Sequence, residues 1–211
     1  MIYDGLVNER LLEHCRADAE RICVRKRSGE HTYTQAEINR LIVAKAREHE
    51  SVVRLKGGDP GMFGRASEEI AACLSVGIGF EIVPGVTAAT AAAEYNGFFL
   101  TDRDVNSQVI FVTGREAEGK EQTGIDWDLL GKFRGTIVFY MGVKNLEQIA
   151  ARLMENGKPA DTPAAVIAEA TLPGQRTVWT ALGKIASDCR QAGVEAPAVI
   201  IVGSCAVRRP E

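Results

Sequence analysis

The sequence lacks several features that would assign it to a specialised class of protein. Its apolar runs, such as Ala198–Val202, have the length of a strand and fall far short of the roughly 18 residues that a membrane-spanning helix needs. The first ten residues include acids and no apolar segment of the kind that marks a signal peptide. Aromatic residues make up only 6% of the chain, and no repeat is visible. We therefore expect a globular protein with no membrane segment.

The chain also lacks an excess of positive charge. The 25 Lys and Arg residues and 28 Asp and Glu residues give a formal net charge of −3. A general nucleic-acid binder usually carries a basic excess, so we expect no nucleic-acid partner. A single basic cleft would nevertheless be enough to bind a small anionic molecule.

Paired cysteines are absent as well. The five cysteines form an odd number without a Cys-X-X-Cys pair, and the three histidines lack the spacing of metal ligands. This pattern favours reduced thiols in a cytoplasmic protein, with no bound metal and no disulfide framework.

The sequence does contain short β-rich runs that alternate with helical patterns, which is typical of an α/β fold with a parallel sheet. In the first half we predict strands over 21–24, 51–55 and 80–83. Helices are predicted after the first two of these strands and over 87–95. The helix after the first strand begins at Thr34, because Thr34 and Glu37 have the spacing of a capping box. The next helix covers about 67–77.

The second half has its predicted strands closer together, which favours a mixed sheet. The strands are predicted over 108–113, 136–141, 164–168, 176–180 and 198–202, and helices over 145–155 and 182–191. A polar, irregular stretch over 97–107 suggests a linker. We therefore predict two small α/β domains, residues 1–104 and 105–211.

A glycine-rich turn is the strongest local signal. In VVRLKGGDPGMFG (52–64) a predicted strand ends, and Gly57, Gly58 and Asp59 turn the chain before a helix. Ligands of α/β sheets bind at such turns, because glycines let a ligand approach the backbone and an aspartate accepts hydrogen bonds. A tight strand-to-helix turn without any ligand would look the same. The pattern matches neither the dinucleotide nor the P-loop signature.

Two further turns are similar in character. VPGVTA (83–88) follows the next predicted strand, and FYMG (139–142) ends a strand of the second half. The first of these would open on the same edge of the sheet as the glycine-rich turn. Taken alone, Met141 is better explained by simple core packing than by a ligand contact.

Ten segments taken together resemble the tetrapyrrole methylases, which are class III S-adenosylmethionine-dependent methyltransferases. Within that family they are most similar to the uroporphyrinogen-III C-methyltransferases. They occur in the family's order over nearly the whole chain: YDGLV (3–7), VRKRSG (24–29), QAEIN (35–39), VVRLKGGDP (52–60), FGR (63–65), EIVPGVTAA (81–89), LTDRD (100–104), VTG (112–114), GTIVFYMGV (135–143) and PAVIIVG (197–203).

The resemblance implies a fold and a reaction. The fold is a two-domain tetrapyrrole methylase fold of the α/β class, with a parallel sheet in the first domain, a mixed sheet in the second and the active site in a cleft between them. The implied assembly is a homodimer. The implied reaction moves two methyl groups from S-adenosylmethionine to ring carbons of uroporphyrinogen III, which yields precorrin-2 for sirohaem and cobalamin biosynthesis.

The resemblance also implies roles for individual residues. Asp4 matches a general base and Lys26 a proton donor. Methyl-donor binding is implied for Gly57, Gly58, Asp59, Met62, Thr87, Ala88, Met141 and Ala170. The substrate bears eight carboxylates, which basic side chains at strand ends would bind. The candidates are Arg27, Arg54, Lys56, Arg65 and Arg103, although each could also be a solvated surface charge.

The chain departs from the family pattern at its start. Members of the family open with a strand and a GxGPGDP-like loop before the YDxLV segment, whereas this sequence reaches Tyr3 and Asp4 at once. We therefore expect the first domain to lack its first βα unit. Two alternatives stay open: another tetrapyrrole methylase that acts on a precorrin, and a truncated, non-catalytic paralogue that binds tetrapyrrole or a partner.

Overall fold

The computed structural model describes residues 1–24, 33–115 and 124–207. Contacts within the chain define two compact units, Met1–Thr87 and Ala88–Glu211. This division comes earlier than the predicted boundary after residue 104. The reason is packing, since the helix Ala88–Tyr95 and the side chain of Phe98 contribute to the core of the second sheet.

The first unit contains a three-stranded parallel sheet. Its strands are β1 (Ile2–Tyr3), β2 (Ile22–Cys23) and β3 (Arg54–Leu55), in the order β2-β1-β3. Both neighbours of β1 run parallel to it. The parallel sheet predicted for the first half is thus confirmed, and so are the strands predicted over 21–24 and 51–55.

Two helices cover this sheet, α1 (Gln35–Glu48) and α2 (Ala66–Leu74). The predicted capping box of α1 is confirmed: the Thr34 hydroxyl accepts a hydrogen bond from the Glu37 amide at 3.3 Å, and the Glu37 carboxylate accepts one from the Thr34 amide at 2.7 Å. Helix and sheet share one apolar core, formed by Ile2, Val24, Ile38, Ile42 and Cys73.

The strand predicted over 80–83 is wrong. Within the described residues, no strand occurs between the end of α2 and Ala88. The side chains of Phe80, Ile82 and Val83 are 49%, 51% and 75% exposed. A strand requires a hydrogen-bonded neighbour as well as suitable residues. In the described part of the chain, β3 pairs with β1 alone, so this segment has no strand beside it.

The second unit contains the predicted mixed sheet, which is confirmed. Its strands lie in the order β4-β5-β8-β6-β7, and β4 and β5 are the only neighbouring strands of this sheet that run parallel. Its elements are α3 (Ala88–Tyr95), β4 (Val109–Thr113), α4 (Trp127–Lys132), β5 (Thr136–Tyr140), α5 (Leu146–Glu155), β6 (Pro163–Ala168), β7 (Arg176–Ala181), α6 (Ile185–Gln191) and β8 (Ala198–Val202).

The two faces of this sheet pack against different helices. In β5, Ile137 and Phe139 face a core that includes residues of α4, α5 and α6, while Val138 faces a core that includes α3. A sheet buried on both faces needs continuous apolar strands, which explains runs such as AVIIV in β8. Among the described residues, no helix is both long enough and apolar enough to cross a bilayer.

The core position of Cys189 leads to a prediction about thiol reactivity. Burial, together with the neighbouring charge of Asp188, raises the pKa of the Cys189 thiol to about 11. The thiolate is the reactive form, so at pH 8 Cys189 should hold roughly one hundredth of the thiolate of an ordinary cysteine. Timed iodoacetamide labelling of the native protein, followed by peptide mass spectrometry, measures this.

The half-buried thiols of Cys15 and Cys23 serve as internal controls and should be labelled first. In urea all cysteines should react at similar rates. Native labelling of Cys189 as fast as that of Cys23 would contradict the prediction.

Candidate active site

The carboxyl ends of β1 and β3 bring two predicted site segments together. Asp4 directly follows β1, and Lys56 and Gly57 directly follow β3. The Asp4 amide donates a hydrogen bond to the Leu55 carbonyl at 3.2 Å, which continues the ladder one residue beyond the strands. Asp4 therefore lies beside the start of the glycine-rich loop, on the edge where parallel α/β sheets bind ligands.

Asp4 belongs to a cluster of four charged side chains. Arg54 donates a hydrogen bond from Nη2 to Asp4 Oδ1, and Lys56 Nζ lies 3.9 Å from Asp4 Oδ2. Glu69 of α2 binds both cations, with Arg54 Nε at 3.0 Å and Lys56 Nζ at 3.1 Å. The side chain of Asp4 is 31% exposed, whereas the other three are 13% exposed or less. The cluster thus offers one accessible carboxylate at the sheet edge.

Asp59 joins the two predicted ligand loops of the first unit. Its Oδ1 accepts a hydrogen bond from the Gly61 amide at 2.8 Å, and its Oδ2 accepts one from the Gly85 amide at 3.0 Å. The backbones are so close that a Cβ added to Gly85 would overlap the carbonyl oxygen of Gly58. The loops lie side by side although the segment before Gly85 is not a strand. Met62 is partly buried within the first loop.

In the second unit, Met141 and Ala170 lie just beyond the carboxyl ends of two strands, at the same end of the mixed sheet. Strands β5 and β6 flank β8 and both run antiparallel to it. They therefore point in the same direction, and their carboxyl ends lie at the same end of the sheet. Met141 directly follows β5, and Ala170 lies two residues beyond β6. Two strand spacings separate the strand ends, which is roughly 10 Å.

The start of α3 reaches the same region of the second unit. The Ala89 amide donates a hydrogen bond to the Tyr140 hydroxyl at 3.1 Å, and Tyr140 and Ala170 both pack against the core that includes α3. Ala88, the first residue of α3, therefore lies near the end of β5. Met141 is 51% exposed, so the alternative that it only fills the core is wrong.

Backbone strain occurs at these same segments, a feature that the sequence did not reveal. Five non-glycine residues in the described part of the chain have positive φ, between 47° and 70°: Phe63, Arg65, Met141, Glu169 and Thr171. Each lies in or beside a predicted donor segment. Positive φ is uncommon for residues with a Cβ, and it occurs preferentially at ligand-binding sites.

The remaining predicted basic residues have different surroundings. Lys26 and Arg27 lie outside the described residues. Arg65 is exposed and contacts Glu68 at 2.6 Å, and this hydrogen bond lowers the pKa of the Glu68 carboxyl. Arg103 is exposed on the second unit. The other two, Arg54 and Lys56, already have carboxylate partners within the charge cluster.

Glu69 is the member of the cluster that reasoning from the sequence missed. A signal was available, because Glu69 lies four residues before Cys73 on α2 and therefore shares a helix face with a core residue. A carboxylate on a buried face requires partners. Its charged partners come from β3 and the loop that follows it, so the tertiary structure was needed to identify them.

A family model described as Tetrapyrrole (Corrin/Porphyrin) Methylases matches residues 1–186. The chain belongs to the tetrapyrrole methylases. The family resemblance of the ten sequence segments is thereby confirmed.

Individual relatives match nearly all of this methylase. An S-adenosyl-L-methionine-dependent uroporphyrinogen III methyltransferase of Methanosarcina barkeri is 48% identical over 203 residues, which is 96% of this chain and 80% of that protein. A siroheme synthase of Zymomonas mobilis is 45% identical over 96% of this chain, yet the match covers 42% of the synthase. The chain thus spans less than half of the synthase.

A solved structure supports the fold. Uroporphyrin-III C-methyl transferase from Thermus thermophilus, complexed with S-adenyl homocysteine, matches with a TM-score of 0.80 and 35% identity. The match covers 97% of this methylase and 84% of that chain. The α/β fold with one parallel and one mixed sheet is thus confirmed. Within residues 1–24, 33–115 and 124–207, no group of three or more His, Cys, Asp or Glu side chains could hold a metal ion.

The contact between the two loops of the first unit can be tested by adding one methyl group. Gly85→Ala forces a Cβ against the Gly58 carbonyl, so we expect the free energy of unfolding to fall by about 1–3 kcal/mol. Urea denaturation followed by circular dichroism measures this change.

Gly79→Ala is the matched control, because an added Cβ there meets nothing within 4 Å. We expect it to change the stability by less than about 0.5 kcal/mol. Equal effects of the two substitutions would show that the loops are not in close contact.

Proposed function

We propose that this methylase transfers methyl groups from S-adenosyl-L-methionine to ring carbons of uroporphyrinogen III, with precorrin-2 as the product after two transfers. The observation that carries the proposal is the accessible carboxylate of Asp4 beside the glycine-rich loop, at the ligand-binding edge of a parallel sheet. The 48% identity to a methyltransferase of that name, over 96% of this chain, supports the choice of substrate.

The predicted donor segments suit S-adenosylmethionine. Gly57 and Gly58 are exposed, so a ligand can approach the backbone at these positions. In the second unit, Met141 offers an exposed apolar side chain next to the strained backbone. We assign donor binding to Gly57, Gly58, Asp59, Met62, Thr87, Ala88, Met141 and Ala170. The donor supplies a methyl carbon that its sulfonium makes electrophilic.

The chemistry asks little of the protein beyond alignment and proton removal. A pyrrole carbon is electron-rich and attacks the methyl carbon, and the electron pair of the broken carbon–sulfur bond stays on sulfur. Holding the two partners in line is therefore the main contribution of the protein. The macrocycle is left with a positive charge, which it loses by giving up a proton. We assign Asp4 Oδ2 as the acceptor of that proton.

The orientation of Asp4 supports this role. Arg54 holds Oδ1 by a hydrogen bond, whereas no donor in the described part of the chain forms a hydrogen bond to Oδ2. One oxygen fixes the carboxylate and the other stays available to the substrate. Lys26, which matches the proposed proton donor, lies outside the described residues, so its role stays a prediction.

The substrate carboxylates need cationic partners whose side chains are accessible from the solvent. Arg65 and Arg103 have exposed side chains and suit this purpose. Arg54 and Lys56 face Asp4 and Glu69, which makes them less suitable. We propose that Arg65, Arg103 and Arg27 bind substrate carboxylates, and that Arg54 and Lys56 serve Asp4 instead.

We also propose that the protein is a homodimer located in the cytoplasm. The resemblance of the sequence segments to the family supports the dimer, and the odd number of cysteines supports a reducing compartment. Sedimentation equilibrium of the purified chain measures the oligomeric state, and a monomer at micromolar concentration would contradict this part of the proposal.

The activity itself can be tested directly. The chain is incubated with S-adenosylmethionine and enzymatically prepared uroporphyrinogen III, and the product is identified by absorbance and mass spectrometry. We expect a product that carries two added methyl groups. Methylation of a precorrin but not of uroporphyrinogen III would favour the alternative acceptor. Absence of both donor binding and product would favour the non-catalytic alternative.

Replacement of Asp4 tests its assignment as the proton acceptor. We expect Asp4→Asn to lower kcat by about 10²- to 10⁴-fold, because the amide cannot accept the proton. The affinity for S-adenosylmethionine, measured by calorimetry, should change by less than roughly threefold. Asp18→Asn is the control, since Asp18 forms an exposed ion pair with Arg16. A normal kcat for Asp4→Asn would remove Asp4 from the mechanism.

Replacement of Asp59 should affect donor binding instead. Asp59→Ala removes the acceptor of two backbone amides that hold the glycine loops together. We expect the affinity for S-adenosylmethionine to fall about tenfold or more, because each such hydrogen bond contributes of the order of 1.5 kcal/mol. Asp128→Ala, which breaks an exposed ion pair with Lys132, is the control. Unchanged calorimetric affinity of Asp59→Ala would contradict the assignment.

A further inference from the structure

We infer that Glu69 is a positioning residue for the methyl-transfer reaction. Its buried carboxylate holds Lys56 and Arg54 so that one oxygen of Asp4 receives no hydrogen bond from the described residues and is able to accept a proton. The inference deepens the proposed function and rests on it, because it concerns the base of that reaction.

Glu69 is a buried acid. Its side chain is only 7% exposed, and a buried carboxylate is costly unless charged or polar partners surround it. Its Oε1 accepts hydrogen bonds from Arg54 Nε at 3.0 Å, Lys56 Nζ at 3.2 Å and Gln35 Nε2 at 3.4 Å. Its Oε2 accepts one from Lys56 Nζ at 3.1 Å. Glu69 is therefore the principal partner of the Lys56 ammonium.

Glu69 and Asp4 share the Lys56 ammonium unequally. Lys56 Nζ lies 3.1 and 3.2 Å from the two oxygens of Glu69 but 3.9 Å from Asp4 Oδ2, which is beyond hydrogen-bond distance. If Lys56 bound Asp4 as closely, both oxygens of Asp4 would be occupied by cations. A carboxylate stabilised in that way is a weaker proton acceptor. Glu69 thus prevents Lys56 from occupying Oδ2.

Packed helices hold the Glu69 carboxylate in place. Glu69 projects from α2, a helix that Cys73 anchors in the core of the first unit. The Asn39 side chain of α1 donates a hydrogen bond to the Glu68 carbonyl at 3.3 Å, which joins the two helices beside Glu69. The position of the Glu69 carboxylate is therefore set by packed helices, and through Arg54 it orients Asp4.

The experiment replaces Glu69 by glutamine, which keeps the shape and removes the charge. In a crystal structure of Glu69→Gln we expect Lys56 Nζ to move to within about 3.2 Å of Asp4 Oδ2. In steady-state kinetics we expect kcat to fall at least about tenfold, while KM for S-adenosylmethionine changes by less than about threefold. A Lys56–Asp4 distance that stays near 3.9 Å, or an unchanged kcat, would overturn the inference.

A double-mutant cycle separates action through Asp4 from a general structural effect. In the Asp4→Asn background, Glu69→Gln should lower kcat by less than about twofold, because the residue it positions is already lost. Losses that multiply across the two sites would contradict a role through Asp4. A purely structural defect would instead lower the melting temperature and the affinity for S-adenosylmethionine together with kcat.

Two further variants complete the design. Glu69→Asp keeps the charge on a shorter side chain, and we expect a kcat between those of the wild type and Glu69→Gln. If Glu69→Gln folds poorly, a kcat of Glu69→Asp below that of the wild type still tests the inference. Glu48→Gln, which breaks an exposed ion pair with Lys45, is the matched control and should leave kcat unchanged. A wild-type protein that forms no methylated product would overturn the proposed function, whereas the Lys56 position in the Glu69→Gln crystal still tests the role of Glu69.

Discussion

The parallel pairing of β1 with β3 is the interaction on which the candidate site depends. Each strand has only two residues, yet the register places Ile2 opposite Arg54 and Tyr3 opposite Leu55. Because the strands run parallel, the residues that follow them emerge at one edge, which brings Asp4 next to the glycine-rich loop. The same register puts Arg54 within reach of Asp4. A shift of the β1–β3 register by one residue would turn Arg54 to the opposite face of the sheet, away from Asp4 and Glu69.

The four charges of the cluster contribute little to the stability of the protein. Buried ion pairs seldom stabilise a protein more than well-packed apolar side chains would, because desolvation offsets most of the attraction. Two cations and two carboxylates balance each other here, and three of the four side chains are almost fully buried. The result is a single accessible carboxylate, that of Asp4, whose orientation is fixed by its buried partner Arg54. That result suits proton transfer, which requires a base in a defined position.

Local patterns in the sequence predicted most of the elements but not their surroundings. The capping box at Thr34 was recognisable because it depends on residues three positions apart. The segment over 80–83 has the composition of a strand, and it is not one because strand formation depends on a neighbour that no local pattern reveals. The partners of Glu69 come from 13 and 15 residues away and could not be read from spacing. The domain division differed because α3 packs on the second sheet, which is again a tertiary effect.

The loops that carry the predicted donor segments hold conformations that their own residues disfavour. Met141 has a φ of 55°, and Gly114 lies so close to Gly142 that a Cβ added to Gly114 would overlap the Gly142 backbone. Such backbone is maintained only when surrounding contacts over-determine it. Here the Gly114 amide donates a hydrogen bond to the Tyr140 carbonyl, and the Asn145 side chain donates one to the Gly114 carbonyl. A loop restrained in this way loses little further freedom when a ligand binds, which lowers the entropic cost of binding. For methyl transfer, where alignment supplies most of the rate, rigid loops matter more than additional reactive groups.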